Sequence, residues 1–141
     1  MIEYVVKVYS YQTEWFLDGN YHREDGPAIE FASGTKYWYL NGLRHREDGP
    51  ACEYADGSKY WYKNGLRHRE NGPACEYTNG SKEWFLNDLL HREDGPACEL
   101  SDGTKFWYLE GVKLSEKDFL QRKKPCSGKK ITVDGVDYEL V

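Results

Sequence analysis

The chain has 141 residues, is 16% aromatic and 30% charged, and carries a formal net charge of −5. That length permits one compact domain or one repeat array. The negative balance argues against a general nucleic-acid binder, which needs Lys and Arg for phosphate, and no long apolar run is present to form a membrane-spanning helix.

Residues 1–21 read as a degenerate first repeat that caps the chain. The segment Tyr4-Val5-Val6-Lys7-Val8-Tyr9 is a predicted strand, and Glu14-Trp15-Phe16-Leu17-Asp18-Gly19 matches the second half of the repeats that follow. Met-Ile-Glu-Tyr-Val-Val carries an acid and no basic leader, so no secretory signal is expected.

Residues 22–112 hold four copies of a 23-residue unit, opened by His22, His45, His68 and His91. Each His precedes Arg-Glu-Asp-Gly-Pro-Ala, with Asn71 replacing Asp once. All five tryptophans (Trp15, Trp38, Trp61, Trp84, Trp107) keep the same period. Within one unit, Ala51-Cys-Glu-Tyr54, Ala55-Asp-Gly-Ser58 and Lys59-Tyr-Trp-Tyr62 read as strand, turn and strand, because Asp-Gly between β-favouring runs is a strong hairpin signal. A two-residue turn at Asp56-Gly57 sets the expected register. Tyr54 then opposes Lys59, Glu53 opposes Tyr60, Cys52 opposes Trp61 and Ala51 opposes Tyr62. Alternation along the strands then puts Tyr54, Lys59, Cys52 and Trp61 on one face and Ala51, Glu53, Tyr60 and Tyr62 on the other. The Trp positions and their Cys or Ile partners are expected to form a buried ladder. Asn64-Gly65, Asp18-Gly19 and Asn41-Gly42 mark a second site that wants positive φ, with Asn87-Asp88 in its place in one copy. A lone hairpin is unstable in water, so the copies must stack.

Cys52, Cys75 and Cys98 share one repeat position, where the first copy has Ile29. Two strands per repeat separate equivalent residues by ~9–10 Å. That exceeds the ~7 Å reach of a disulfide between α-carbons and the span of one tetrahedral metal. The position reads as a buried apolar site, and with Cys126 the four free thiols point to a reducing cytoplasm.

Residues 113–141 read as a C-terminal cap. Leu114 to Leu120 is a predicted short helix with Ser115 as N-cap and Asp118 closing a capping box, stopped by Pro125 and Gly128. Residues 113–130 hold seven basic and two acidic residues, either a solvated helix and linker or a partner-docking patch. Lys130 to Leu140 is a predicted closing hairpin on another Asp-Gly turn. The expected fold is all-β, an elongated antiparallel β-hairpin repeat array with a short C-terminal helix and a closing hairpin.

Tyr60-Trp61-Tyr62, Asn64-Gly65-Leu66-Arg67-His68, Gly72, Tyr77 and Asn79-Gly80, on a 23-residue period, resemble MORN repeats and their bacterial MORN-variant relatives. The His-Arg-Glu-Asp-Gly-Pro-Ala step resembles more closely the small repeat proteins of bacteriophages that carry it. That resemblance implies a non-enzymatic protein-binding module, an inhibitor of a host protein in host takeover or counter-defence, acting in the host cytoplasm. MORN-variant relatives also imply an antitoxin or immunity-type role.

Enzyme chemistry is not expected. Acid-base catalysis needs one site with distinctly tuned groups, whereas His, Arg, Glu and Asp recur in four near-equivalent copies. Asn71 keeps an acceptor oxygen and loses the acid, so the position reads as a turn hydrogen bond. His and Arg are expected to tie the loop to neighbouring backbone or to Glu. No cofactor and no metal site are expected. Two classes of function remain, a protein-binding module and a small-molecule or nucleotide sponge that stacks ligands on its aromatic residues. The repeat positions that change chemistry are Glu14, Tyr37, Tyr60, Glu83 and Phe106, with Tyr21, Arg44, Arg67 and Leu90. These are expected on an exposed face, with Tyr37, Arg44, Tyr60, Arg67 and Phe106 contacting a host protein, since Tyr and Arg dominate interface energetics. Lys117 and Arg122 are expected to add a second contact, and edge strands to offer a route to oligomers.

Overall fold

The computed structural model describes residues 3–123, 129–133 and 136–140. Its strands are β1 (Tyr4–Val8), β2 (Gln12–Leu17), β3 (Asn20–Tyr21), β4 (Ile29–Phe31), β5 (Lys36–Tyr37), β6 (Tyr39–Leu40), β7 (Leu43–Arg44), β8 (Cys52–Glu53), β9 (Lys59–Tyr60) and β10 (Tyr62–Lys63). They continue as β11 (Leu66–Arg67), β12 (Cys75–Glu76), β13 (Lys82–Glu83), β14 (Phe85–Leu86), β15 (Leu89–Leu90), β16 (Cys98–Glu99), β17 (Lys105–Leu109) and β18 (Val112–Leu114). Helix α1 (Glu116–Lys123) and the hairpin β19 (Lys129–Val133) with β20 (Val136–Leu140) follow. The fold is all-β with one short helix, an open antiparallel repeat array.

The main sheet has twelve strands in the order β1-β2-β4-β5-β8-β9-β12-β13-β16-β17-β18, with β3 paired to β2. Small hairpins β6-β7, β10-β11 and β14-β15 stand apart from it. The division falls at tryptophan. The Trp38 N–H donates to the Ala51 carbonyl in the main sheet, while the Trp38 carbonyl accepts from the His45 N–H. Trp61 and Trp84 repeat this pair of bonds with Ala74 and His68, and with Ala97 and His91. Successive small hairpins are stitched by Gly65 N–H to the Arg44 carbonyl and Asp88 N–H to the Arg67 carbonyl. Each repeat thus adds two strands to the sheet and one hairpin beside it.

The turns that follow tryptophan need a left-handed backbone. Asn41, Asn64 and Asn87 have φ of 52°, 50° and 48°, and Gly42 and Gly65 follow at 80° and 81°. Asp88 holds the corresponding place at 70°, a conformation Asp tolerates.

The register within each repeat differs from the sequence expectation by one residue. Cys52 opposes Tyr60 and Glu53 opposes Lys59. The Asp-Gly pair closes a three-residue loop rather than a two-residue one. The Tyr54 N–H donates to Ser58 O and the Gly57 N–H to Tyr54 O, both at 2.9 Å, with Gly57 at φ 97°. The Asp56 carboxylate accepts the Ser58 N–H at 2.8 Å and holds the loop. A slip of one residue turns every side chain to the other face. Tyr60 therefore joins Cys52, and Trp61 lies on the opposite face with Glu53 and Lys59.

The buried ladder is accordingly not Trp with Cys. Ala28, Ala51, Ala74 and Ala97 have no exposed surface, and Ile29, Cys52, Cys75 and Cys98 are buried, while all five tryptophans are half-buried. Around Ala74, Cys75 and Phe85 pack Tyr60, Trp61, Tyr77 and Leu90. Cys52, Cys75 and Cys98 are free thiols. Cys126, Pro125 and Gly128 lie outside the described residues.

Helix α1 starts as its cap predicts, with the Asp118 N–H donating to Ser115 Oγ at 3.1 Å. It packs against β17 and β18 and buries Phe119 to 2% exposure. The closing hairpin pairs Lys129 with Leu140 through Val133 with Val136; its turn lies outside the described residues.

Candidate functional site

The register gathers the chemistry of the sheet into two rows. One runs Glu14, Ile29, Tyr37, Cys52, Tyr60, Cys75, Glu83, Cys98 and Phe106, each opposite the next across a strand pair. All five positions that change chemistry along the first series fall in this row, alternating with the constant Ile or Cys. The neighbouring row, on the other face, runs Glu30, Lys36, Glu53, Lys59, Glu76, Lys82, Glu99 and Lys105. Opposite charges directly across strands attract, so this second face neutralises itself.

The return loops lean on the charged face. Arg46 donates from Nη1 to the Pro50 carbonyl and to Glu53, both at 3.0 Å, and from Nε to Asp48 at 3.3 Å. Its guanidinium carbon stands 3.9 Å from the centroid of the Trp38 ring. Arg23, Arg69 and Arg92 repeat the contact over Trp15, Trp61 and Trp84. Arg69, whose loop has Asn71, keeps its bonds to Pro73 and Glu76.

Each histidine ties the start of its repeat to the positive-φ turn near that repeat's end. Nδ1 of His22, His45, His68 and His91 accepts the backbone N–H of Asn41, Asn64, Asn87 and Glu110 at 2.9–3.0 Å. All four donors sit at positive φ. An acceptor at Nδ1 puts the imidazole proton on Nε2, and His45 Nε2 meets Glu47 at 2.7 Å. Histidine and arginine thus hold the loop to neighbouring backbone and to Glu. Among the described residues, no group of three His, Cys, Asp or Glu side chains could hold a metal ion.

The first row carries Tyr37, Tyr60 and Phe106 of the predicted contact residues, and Arg44 and Arg67 stand in β7 and β11 of the small hairpins. Tyr37, Arg44, Tyr60, Arg67 and Phe106 are all half-buried rather than exposed, and Glu14 is buried. Glu14, Tyr37 and Phe106 are covered from seven residues further along the chain. Tyr21 donates from its hydroxyl to Glu14 at 2.7 Å. The Arg44 guanidinium lies 5.3 Å from the Tyr37 ring, and Lys113 Nζ 4.4 Å from the Phe106 ring. Glu14 with Tyr21, Tyr37 with Arg44 and Phe106 with Lys113 are therefore partners seven residues apart, whereas Arg67 reaches into the next repeat and Glu83 accepts from Tyr77. Arg44 also donates to the hydroxyls of Tyr39 and Tyr62. Arg67 stands 4.1 Å from the Phe85 ring and pairs with Asp88 at 2.7 Å; its hydrogen bonds hold the Asp88 carboxyl below the usual range.

Two residues complete the face that sequence reasoning left out. Tyr37, Tyr54, Tyr60 and Tyr77 form a chain of edge-to-face contacts with centroids 5.7, 5.1 and 5.6 Å apart. Tyr54 and Tyr77 share a repeat position with Phe31 and Leu100, and that run of large side chains was the available signal. Burial pushes the phenols of Tyr54, Tyr60 and Tyr77 up, and the Tyr77 hydroxyl donates to Glu83. Burial also raises the thiols of Cys52 to about 11 and Cys75 to about 12. These groups are neutral at physiological pH, so Arg44 and Arg67 supply the positive charge of the central face.

Lys117 and Arg122 are exposed on α1, away from this chain of rings. Arg122 lines a cleft of about 540 Å³ with His91, Glu93, Leu109, Leu114 and Phe119. Among the described residues, no helix is long and apolar enough to cross a membrane. No family model, no curated protein and no solved structure matches this chain.

Proposed function

We propose that this chain is a non-enzymatic protein-binding repeat module that inhibits a host protein. The observation that carries this reading is the tyrosine chain Tyr37-Tyr54-Tyr60-Tyr77 flanked by Arg44 and Arg67. These are the residue types that anchor interfaces. The rings hold one another, Arg44 is held by Tyr37, Tyr39 and Tyr62, and Arg67 by Phe85 and Asp88, so little side-chain entropy remains to be lost on binding. The opposite face offers a weaker case, because its Glu and Lys are matched across strands. Phe106 extends the same row toward the C-terminus, and Lys117 and Arg122 give a second, cationic contact. The bacteriophage origin and the counter-defence role rest on the resemblance of the His-Arg-Glu-Asp-Gly-Pro-Ala repeats. The free thiols of Cys52, Cys75 and Cys98 support a reducing cytoplasm, the host's if a phage encodes the chain.

The nucleotide or small-molecule sponge has less support. A cleft of about 640 Å³ lies between successive return loops and is lined by Trp61, Arg46 and Arg69. Arg69 already covers the Trp61 indole at 3.9 Å, and exposed Glu47, Asp48 and Glu70 also line the cleft. Carboxylates there disfavour phosphate.

Affinity purification of the tagged chain from host cells, read by mass spectrometry, tests the reading. One host protein should be retained by the native chain and lost from a variant with Tyr37, Arg44, Tyr60 and Arg67 all changed to Ala that still melts cooperatively. Retention of that protein by the folded variant removes this face from the interface. A metabolite released on heating, with no protein retained, would establish the sponge instead.

A further inference from the structure

We propose that two copies of this chain associate through their β1 strands, in antiparallel and two-fold symmetric pairing centred on Val5. The two ends of the main sheet differ. At the β18 end, α1 packs on β17 and β18 and buries Phe119. At the β1 end, β2 is the only strand paired with β1 among the described residues. Five of the eleven strongly exposed large apolar side chains among the described residues lie here: Val5, Val6, Val8, Tyr9 and Tyr11. Val8 is 75% exposed. A flat apolar edge of this length is a template for another strand.

The backbone fixes which groups face outward. Trp15 donates its N–H to the Ala28 carbonyl just before β4, away from β1, and Trp15 opposes Val6. Tyr9 donates back to Gln12 at 2.8 Å. Antiparallel strands alternate hydrogen-bonded and free pairs. Tyr4, Val6 and Val8 therefore direct their N–H and C=O groups away from β2, and Val5 and Lys7 direct theirs toward it.

Charge selects the occupant and the register. Centred on Val5, a second β1 places Tyr4 opposite Val6, hydrogen-bonded, and Val5 opposite its own copy. Glu3 then opposes Lys7 at both ends of the pairing. Centred on Val6, Lys7 would oppose Val5 and neither charge would meet its opposite. The strand is thus complementary to itself in one register. Pairing of like with like closes after two copies.

The experiment is sedimentation of the full chain over a concentration series, with two variants. The native chain should become a dimer as concentration rises. Val6→Pro removes an outward donor and no bond to β2, as proline on a sheet edge does, and should remain a single chain. Val5→Cys, in a Cys126→Ser background, should form an intermolecular disulfide on mild oxidation. The free cross-strand pair brings α-carbons to ~4.5 Å, within disulfide reach. Val6→Cys in the same background should cross-link less. A native chain that stays single at every concentration overturns the proposal. So does a dimer that forms no Val5→Cys cross-link, or one that a folded Val6→Pro variant retains. Should Val6→Pro fail to fold, the cross-linking result decides alone.

Discussion

The guanidinium carbon of Arg46 stands 3.9 Å from the ring centroid of Trp38. Its other side is closed by the return loop, where a Cβ on Gly49 would lie 3.0 Å from Arg46 Cζ. The same approach recurs at Gly26, Gly72 and Gly95 with Arg23, Arg69 and Arg92. None of these four glycines is among those with positive φ. Glycine is required here by space, because the arginine is packed between the indole and the loop backbone. Gly72→Ala should force Arg69 off Trp61 and away from Pro73 and Glu76, costing about 1–3 kcal/mol as overpacking does. A thermal melt checks this, and an unchanged midpoint would show that the arginine moves aside freely.

His45 ties the start of its repeat to the turn between β10 and β11 through a single acceptor atom. His45→Ala removes the partner of the Asn64 N–H, bound at 3.0 Å. Asn64 is exposed, so water can replace the acceptor and the loss is that of one net hydrogen bond, about 0.5–1.5 kcal/mol. Hydrogen exchange should show the Asn64 amide losing protection in this variant. Protection equal to that of the native chain would mean that Nδ1 contributes nothing to the turn.

Burial sets the behaviour of the thiols. The folded-state values of about 11 for Cys52, 12 for Cys75 and 11 for Cys98 lie above the ordinary 9.0. A raised value means that the folded chain holds its proton after the unfolded chain has released it. This contribution to stability is therefore complete below pH 9 and is lost as pH rises from 9 through 11–12. Denaturant melts should show a midpoint falling across that window, and changing all three cysteines to Ala should flatten the fall. Titration after unfolding without reductant should count four thiols, Cys126 included. A count of two or fewer would overturn the free-thiol reading.

The hairpins, the positive-φ turns and the Ser115 cap were legible because each has a local cause written in two to four residues. The register was not, since Asp56-Gly57 suits both a two-residue loop and the end of a three-residue loop. Ala55 gives no sign of which applies, and that one residue moved Trp61 to the face opposite Cys52. The site was legible in part. Tyr37, Tyr60 and Phe106 do share one row. Their half-burial was missed because each was read alone. Reading residues seven apart together, as Glu14 with Tyr21, Tyr37 with Arg44 and Phe106 with Lys113, would have shown matched pairs.

That matching makes a prediction of its own. Glu14 is only 7% exposed, and its carboxylate accepts the Tyr21 hydroxyl at 2.7 Å. The same bond, followed by burial, raises the Tyr21 phenol to about 12. Tyr21→Phe alone leaves a buried carboxylate short of a donor, which costs about 1–3 kcal/mol. Glu14→Leu removes the group that needed the donor and keeps similar bulk. In that background Tyr21→Phe should cost little. A double-mutant cycle by urea denaturation should therefore return a coupling of about 1–2 kcal/mol, in the range for residues that share one bond. Additive effects would mean that the variable positions are independent and free to have diverged for a partner. A clear coupling would mean that they changed in pairs to keep the array folded, leaving Arg44 and Arg67 to test as contact residues against that constraint.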